Sequence, residues 1–296
     1  MRRTIDPGKQ KRSINIVNDV PFSTVRCDDG SVIDLKMTLL LQNGNSEMRL
    51  VAGIDNEVSM GRQPVIVWIN GNGWRSCPRT YQAAESVYLA DAGFAVAVIE
   101  YRNSSQAKWP AQLEDVRQAV RFLKASAEKY NLDPDRIGAI GRSAGGHLAS
   151  FLAMNIDPTA KVNCAADFFG PVDLLSMLES NIRRFGQEDF PFSCEEETRE
   201  GVLLGGGVDI VREKGAGASP INFINDKTAP ILILHGDQDP LVPISQSDAF
   251  YDKLTRKGIP VDYYIVEGAG HGTREFVQPE IRKIVLEFFE RNLKES

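Results

Sequence analysis

Histidine and cysteine are scarce in this chain of 296 residues, at three and four, and the cysteines (Cys27, Cys77, Cys164 and Cys194) lie far apart with no CxxC pair. That spacing speaks against a dense disulfide framework or a zinc ribbon, and it is read as four reduced thiols, partly in the core. Long apolar runs are missing too. No stretch reaches the roughly 18–20 apolar residues that cross a bilayer, and the polar start lacks the apolar segment of a signal peptide. A cytoplasmic protein without membrane contact is therefore expected, or a secreted one if a leader has been removed. Basic charge is in deficit, with 34 Lys and Arg against 40 Asp and Glu for a net charge of −6. Nucleic-acid binding depends on clustered Lys and Arg, so none is expected. The short basic opening (Arg2, Arg3, Lys9, Lys11, Arg12) reads as a solvated tail.

What is present is the mix of an ordinary globular protein, 42% hydrophobic and 25% charged. The length suits a single domain over 1–296 that carries an insertion. From residue 64 onward, short apolar runs rich in β-branched residues alternate with helical patterns, as a parallel sheet with crossover helices requires. Strands are predicted at 64–70, 94–101, 136–141, 165–170, 230–236 and 261–267, several of them apolar on both faces, which implies helices covering both sides of the sheet. Helices are predicted at 81–92, 112–130, 147–154, 246–257 and 279–293. In the second, Leu113, Val116, Val120, Leu123 and Ala127 recur at helical spacing opposite Glu114, Arg117, Arg121 and Lys124. Earlier in the chain, runs at 22–27 and 32–41 flank Asp28-Asp29-Gly30, a turn signal that predicts an antiparallel hairpin on the sheet edge. The alternation breaks again over 174–219, read as a small, mostly helical cap.

After the third predicted crossover strand comes Gly141-Arg142-Ser143-Ala144-Gly145-Gly146, a G-x-S-x-G that opens a helix. A serine nucleophile needs such a sharp strand-to-helix turn, because flanking glycines let neighbouring backbone pass without Cβ clashes and the helix start faces developing negative charge. Serine also needs a base and a carboxylate that orients it, following in the order Ser, Asp, His. With only three histidines the base can be found by elimination. His147 sits one turn into the helix, away from the elbow tip, and reads as packing. His235 ends an apolar strand and reads as a buried, hydrogen-bonded residue. His271 follows a strand in the glycine-flanked Gly268-Ala-Gly-His-Gly272 and is the expected base. Of the two acids after the preceding strand, Asp237 lies near the strand end and is read as closing the turn, whereas Asp239 lies further out and can reach the imidazole. One donor to a tetrahedral oxyanion is the N–H of Ala144. Others are expected from Asn70-Gly71-Asn72-Gly73-Trp74, the turn-permissive loop after the first parallel strand. No HExxH, Cys/His cluster or phosphate loop is present, so no metal or cofactor is expected.

These pieces, with VIVWINGNGW, DPDRIGAIGRSAGGHLAS, FFGPVDLL, ASPINFI, ILILHGDQDPLVP and VEGAGHG, resemble the α/β-hydrolase superfamily over about residues 64–293. Within it they are similar to esterases of the BD-FAE (feruloyl and acetyl xylan esterase-like) and hormone-sensitive-lipase-like groups. The resemblance implies a serine carboxylic-ester hydrolase acting on short-chain or carbohydrate-linked acetyl or feruloyl esters. It implies Ser143, Asp239 and His271 as the triad, with Asn72, Gly73 and Ala144 lining the oxyanion hole. The chain departs from the group at that hole, where relatives usually carry His-Gly-Gly-Gly and this sequence has Asn70-Gly71-Asn72-Gly73. Trp74, Arg142, Phe185, Phe190 and Phe192 are candidate pocket walls, with plain core packing as the equal alternative for the four aromatics. The expected partner is a small-molecule or oligosaccharide ester, and a homo-oligomer is compatible with the sequence. Two rival readings are an amidase or small peptidase on the same triad, and a binding protein that kept the fold without the activity.

Overall fold

The computed structural model describes residues 3–4, 13–42, 61–75, 78–185 and 198–294, with the backbone alone over 181–185. Eight strands form one sheet: β1 (Ile14–Arg26), β2 (Val32–Gln42), β3 (Gln63–Ile69), β4 (Ala95–Ile99), β5 (Leu132–Arg142), β6 (Cys164–Phe168), β7 (Ile231–Gly236) and β8 (Val261–Val266), in the order β1-β2-β4-β3-β5-β6-β7-β8. The pairs β1–β2 and β2–β4 are antiparallel, and every pair from β4 across to β8 is parallel.

Both faces of the central strands are apolar, which forces helices onto both sides. In β3, Val65, Val67 and Ile69 join one core, and Ile66 and Trp68 join the other. The first core is closed by α2 (Ala111–Ala125), α3 (Ala144–Ala153) and α7 (Ser245–Arg256), through residues such as Val116, Leu148 and Phe250. The second is closed by α1 (Thr80–Asp91) and α8 (Pro279–Leu293), through Leu89, Val285 and Phe289. The region predicted as a cap contains α4 (Leu174–Phe185), α5 (Arg199–Leu204) and α6 (Val208–Lys214), whose Leu174, Leu178, Leu203 and Val211 pack into the first core. No helix among the described residues is long and apolar enough to cross a membrane. Cys27 and Cys164 are buried free thiols, whereas Cys77 and Cys194 lie outside the described residues, as does the polar stretch 43–60.

Some boundaries differ from expectation for identifiable reasons. The hairpin's first strand starts at Ile14, well before residue 22, because β1 is an edge strand exposed along most of its first half. A strand wet on both sides needs no alternating pattern, and two bulges, between Val17 and Val20 and between Pro21 and Ser23, break any period that remains. The helix predicted over 112–130 divides at Ser126, and its short continuation, 127–130, is stopped by Asn131 in the left-handed region (φ 53°).

Candidate active site

β5 delivers Ser143 to the carboxyl edge of the sheet, where its backbone takes φ 53° and ψ −122° before α3 begins at Ala144. An L-residue adopts that conformation only when its surroundings enforce it. Here the Ser143 N–H donates to Phe168 O at 2.8 Å, and the His147 N–H donates to Ser143 O at 3.0 Å. The neighbouring glycines have no room for a side chain. A Cβ on Gly141 would lie 2.1 Å from Gly145 O, and one on Gly145 would lie 2.0 Å from Ile69 O. Gly145→Ala is therefore expected to destabilise the fold by about 3 kcal/mol, because backbone on both sides would have to move. Urea unfolding checks this against Gly217→Ala, where a Cβ meets nothing within 4 Å and the change should stay below about 1 kcal/mol.

His271 and Asp239 sit on the loops after β8 and β7. Asp239 Oδ1 accepts from the N–H groups of Leu241 and Val242 at 2.8 and 2.9 Å, which fixes the carboxylate within its own loop. Its Oδ2 lies 2.7 Å from His271 Nδ1, and His271 Nε2 lies 2.9 Å from Ser143 Oγ. A carboxylate can only accept, so the proton sits on Nδ1 and Nε2 turns a lone pair toward the serine hydroxyl. Burial alone would push the Asp239 carboxyl up. The donors from His235 and His271, the charge of His271 and the Val242 N–H outweigh it and hold the group well below the usual carboxylate range.

The other two histidines are buried, as their positions suggested, but one has a closer link to the site than the sequence disclosed. His235 Nε2 donates to Val242 O at 2.9 Å and stands 3.4 Å from Asp239 Oδ2, while its Nδ1 accepts from Ser247 Oγ at 2.7 Å. It therefore braces the acid's loop. His147 Nε2 donates to Ala218 O at 2.8 Å, its ring is packed against Trp74, Trp109 and Phe151, and burial brings its pKa down to about 4. Asp237, expected to close its own turn, instead accepts from Gly268 N–H at 2.7 Å and ties the two loops together.

The loop after β3 passes directly against the elbow. A Cβ on Gly71 would come within 2.4 Å of Arg142 O and 3.1 Å of Ser143 Cβ. Asn72, Gly73 and Trp74 then all take positive φ (102°, 59° and 56°). Asn70 anchors this turn: its side chain accepts from Trp68 Nε1 at 3.1 Å and donates to Pro78 O at 2.8 Å, while its own carbonyl accepts from Tyr101 OH. Asn70 is thus a buried clip, and Asn72 is the exposed one.

A cavity of about 460 Å³ opens beside Ser143, lined among others by Asn72, Gly73, Arg142 and His271. Trp74, a candidate wall, lies instead in the core: the left-handed backbone turns its indole inward, 2% exposed and edge-on to His147. Arg142 does line the cavity, although its Nη1 is held 2.5 Å from Glu85 Oε2 and its guanidinium lies over Phe168. Phe185 ends α4 where only backbone is described, and Phe190 and Phe192 fall outside the described residues. Sequence reading missed Phe169, whose ring meets His271 edge-on at 4.7 Å, and Tyr81, Gln82, Arg199 and Leu241. Of these only Phe169, near the carboxyl end of the strand predicted at 165–170, carried a positional signal.

Comparison with known proteins bears on this arrangement. Esterase LipQ of Mycobacterium tuberculosis (strain ATCC 25618 / H37Rv) is 29% identical over 71% of this chain and 50% of its own length. Probable carboxylic ester hydrolase LipM of the same organism is 30% identical over 66% of this chain and 45% of its own. The chain thus spans about half the length of these relatives. Among solved structures, a truncated form of carbohydrate esterase from gut microbiota is similar with a TM-score of 0.74 at 26% identity, covering 97% of this chain and 98% of that one. A thermophilic esterase from the Planctomycetes species Thermogutta terrifontis shares the fold with a TM-score of 0.67 at 22% identity, over 95% and 92% of the two chains. The BD-FAE family model matches residues 55–254, more than half of the sequence, and the chain belongs to the BD-FAE family.

Proposed function

We propose that the protein is a serine carboxylic-ester hydrolase that works through an acyl-enzyme on short-chain or carbohydrate-linked (acetyl or feruloyl) esters. The observation that carries this reading is the continuous chain from Ser143 Oγ through His271 to Asp239, with links of 2.9 and 2.7 Å. Ser143 Oγ attacks the ester carbonyl as its proton passes to His271 Nε2, and Asp239 stabilises the imidazolium and fixes its tautomer. The carbonyl oxygen becomes an oxyanion next to the N–H of Ala144 at the start of α3 and the backbone of Asn72 and Gly73, donors that cost no reorganisation because the fold already holds them. His271 then returns the proton to the departing alcohol, and water repeats the cycle on the acyl group.

The names of the relatives support ester over amide chemistry, since LipQ and LipM are an esterase and a probable ester hydrolase. The carbohydrate-linked part of the reading draws on the carbohydrate esterase from gut microbiota, similar over nearly the whole chain. Reaction with a fluorophosphonate probe, mapped by peptide mass spectrometry, tests the mechanism. About one label per chain on Ser143 is expected, and an unlabelled serine in folded protein would sink the reading in favour of a binding protein. Initial rates on acetylated and feruloylated xylo-oligosaccharides, set beside p-nitrophenyl acetate and p-nitroacetanilide, test the substrate class: ester turnover must exceed that of the amide.

A further inference from the structure

The cavity beside Ser143 has a charge pattern that ester hydrolysis alone does not use. Among the described residues its lining includes two arginines, Arg142 and Arg199, and no aspartate or glutamate. Arg142 is neutralised where it stands, buried and 2.5 Å from Glu85. Arg199 is exposed, and none of the ion pairs among the described residues involves it. Its chain neighbour Glu200 is buried, and burial pushes that carboxyl upward against the weaker pull of Arg199 and Arg75.

The fold fixes where Arg199 stands. It is the first residue of α5, whose start is capped by Thr198 Oγ1 accepting from Gly201 N–H at 2.8 Å. The same helix is rooted in the core by Leu203 and Leu204, and Leu203 O accepts from Trp109 N–H at 2.9 Å. From this base the arginine stem lies flat on Gly73, where a Cβ would come within 2.6 Å of Arg199 Cδ and 3.1 Å of Nε. Gly73 belongs to the loop that packs on the elbow. The guanidinium therefore stands on the wall of the cavity that holds Ser143, next to the backbone assigned above to the oxyanion.

We propose that Arg199 is a specificity-determining residue that favours esters bearing a carboxylate elsewhere on the same molecule, an inference that rests on the ester-hydrolase reading above. A planar guanidinium offers paired N–H donors matched to a carboxylate, which a neutral sugar hydroxyl or alkyl group does not use as well. The acid can belong to the acyl part, as in a dicarboxylic half-ester, or to the alcohol part, as in an acetylated uronic acid or hydroxybenzoate. The recognition chemistry is the same in both. Because Arg199 is exposed, water and salt screen the contact, so the preference is a matter of several-fold and not of thousands.

The test compares kcat/KM for two matched pairs: p-nitrophenyl hydrogen glutarate with its methyl ester, and para-acetoxybenzoate with its methyl ester. Each is measured with the wild-type protein, Arg199→Gln and Arg199→Lys, at low and high ionic strength. Taking the charged-to-neutral ratio for each protein and then comparing proteins cancels the intrinsic reactivity of the esters. Arg199→Gln is expected to lower that ratio about fivefold in at least one pair, mainly through KM, as for one part-exposed charge-assisted hydrogen bond. Arg199→Lys should keep part of it, and salt should erode the wild-type ratio. The pair that responds identifies the side of the ester that carries the acid. If Arg199→Gln leaves both ratios unchanged, or slows charged and neutral esters by the same factor, the specificity role is overturned while the hydrolase reading stands. If the wild-type protein hydrolyses none of the four esters, the hydrolase reading itself fails and this inference fails with it.

Discussion

Ser143→Ala is expected to lower kcat for p-nitrophenyl acetate by about 10⁴-fold or more, with little change in the unfolding transition. The two halves of that statement rest on different facts. The hydroxyl is the group that His271 Nε2 faces at the elbow tip, and without it the base has no proton to take and the acyl group no serine oxygen to be carried on. Stability should hardly move, within about 1 kcal/mol, since the substitution removes one oxygen whose single side-chain partner, His271, is 14% exposed and can be satisfied by water. The backbone strain at φ 53° stays the same, because alanine suffers it as serine does. Any slow turnover left over should come from the oxyanion donors and binding alone. The measurement is a pair: single-turnover and steady-state rates of the variant, and its urea midpoint. Turnover within tenfold of wild type, in protein shown by mass to be free of contaminating hydrolase, would remove Ser143 from the mechanism.

The residues that such variants probe were legible to different degrees, and the difference has a physical origin. Ser143, Asp239 and His271 lie at the carboxyl ends of β5, β7 and β8, and a parallel sheet brings all such ends to one edge, so their places just after three predicted strands already implied that they are neighbours. His235 could be read only as buried. Its link to Asp239 depends on how tightly the loop 237–243 curls back on its own strand, which no periodicity records. Trp74 could be read as pocket wall or as core, and the structure takes the second, since three successive residues with positive φ direct its side chain inward. Arg199 was invisible for another reason. It comes from an insertion outside the β/α alternation, and only the packing of α5 against Gly73 tells that it faces the site. Gly141 and Gly145 show the opposite case, since their spacing around Ser143 already implied the close backbone approaches that are found, 2.1 and 2.0 Å from an added Cβ.

Asp239→Asn should be nearly as damaging as loss of the serine, lowering kcat by about 10⁴-fold, although it changes neither size nor shape. The hydrogen bonds dictate which way the new amide must point. Oδ1 accepts from two backbone N–H groups, of Leu241 and Val242, so the amide oxygen takes that position and the NH₂ group takes the place of Oδ2. There it meets His271 Nδ1 at 2.7 Å and His235 Nε2 at 3.4 Å. Two donors cannot face each other at that distance, so His271 shifts its proton from Nδ1 to Nε2 and accepts from the amide instead. Nε2 then presents N–H to Ser143 Oγ and can no longer take the hydroxyl proton. Binding of substrate should be affected much less than kcat, which separates this outcome from a collapsed pocket. The stability of the variant relative to wild type carries a second signature. The Asp239 carboxyl is held below its ordinary 3.8, so its contribution to stability is fully present above that value and is lost as the pH falls through it toward the lower folded value. Asparagine has no such term, and the wild-type advantage measured by urea unfolding should therefore be constant from neutral pH down to about 4 and shrink below it. If Asp239→Asn keeps most of its kcat, the imidazole tautomer is not set by this carboxylate. In that case the bracing of His271 would have to come from elsewhere in the loop after β8.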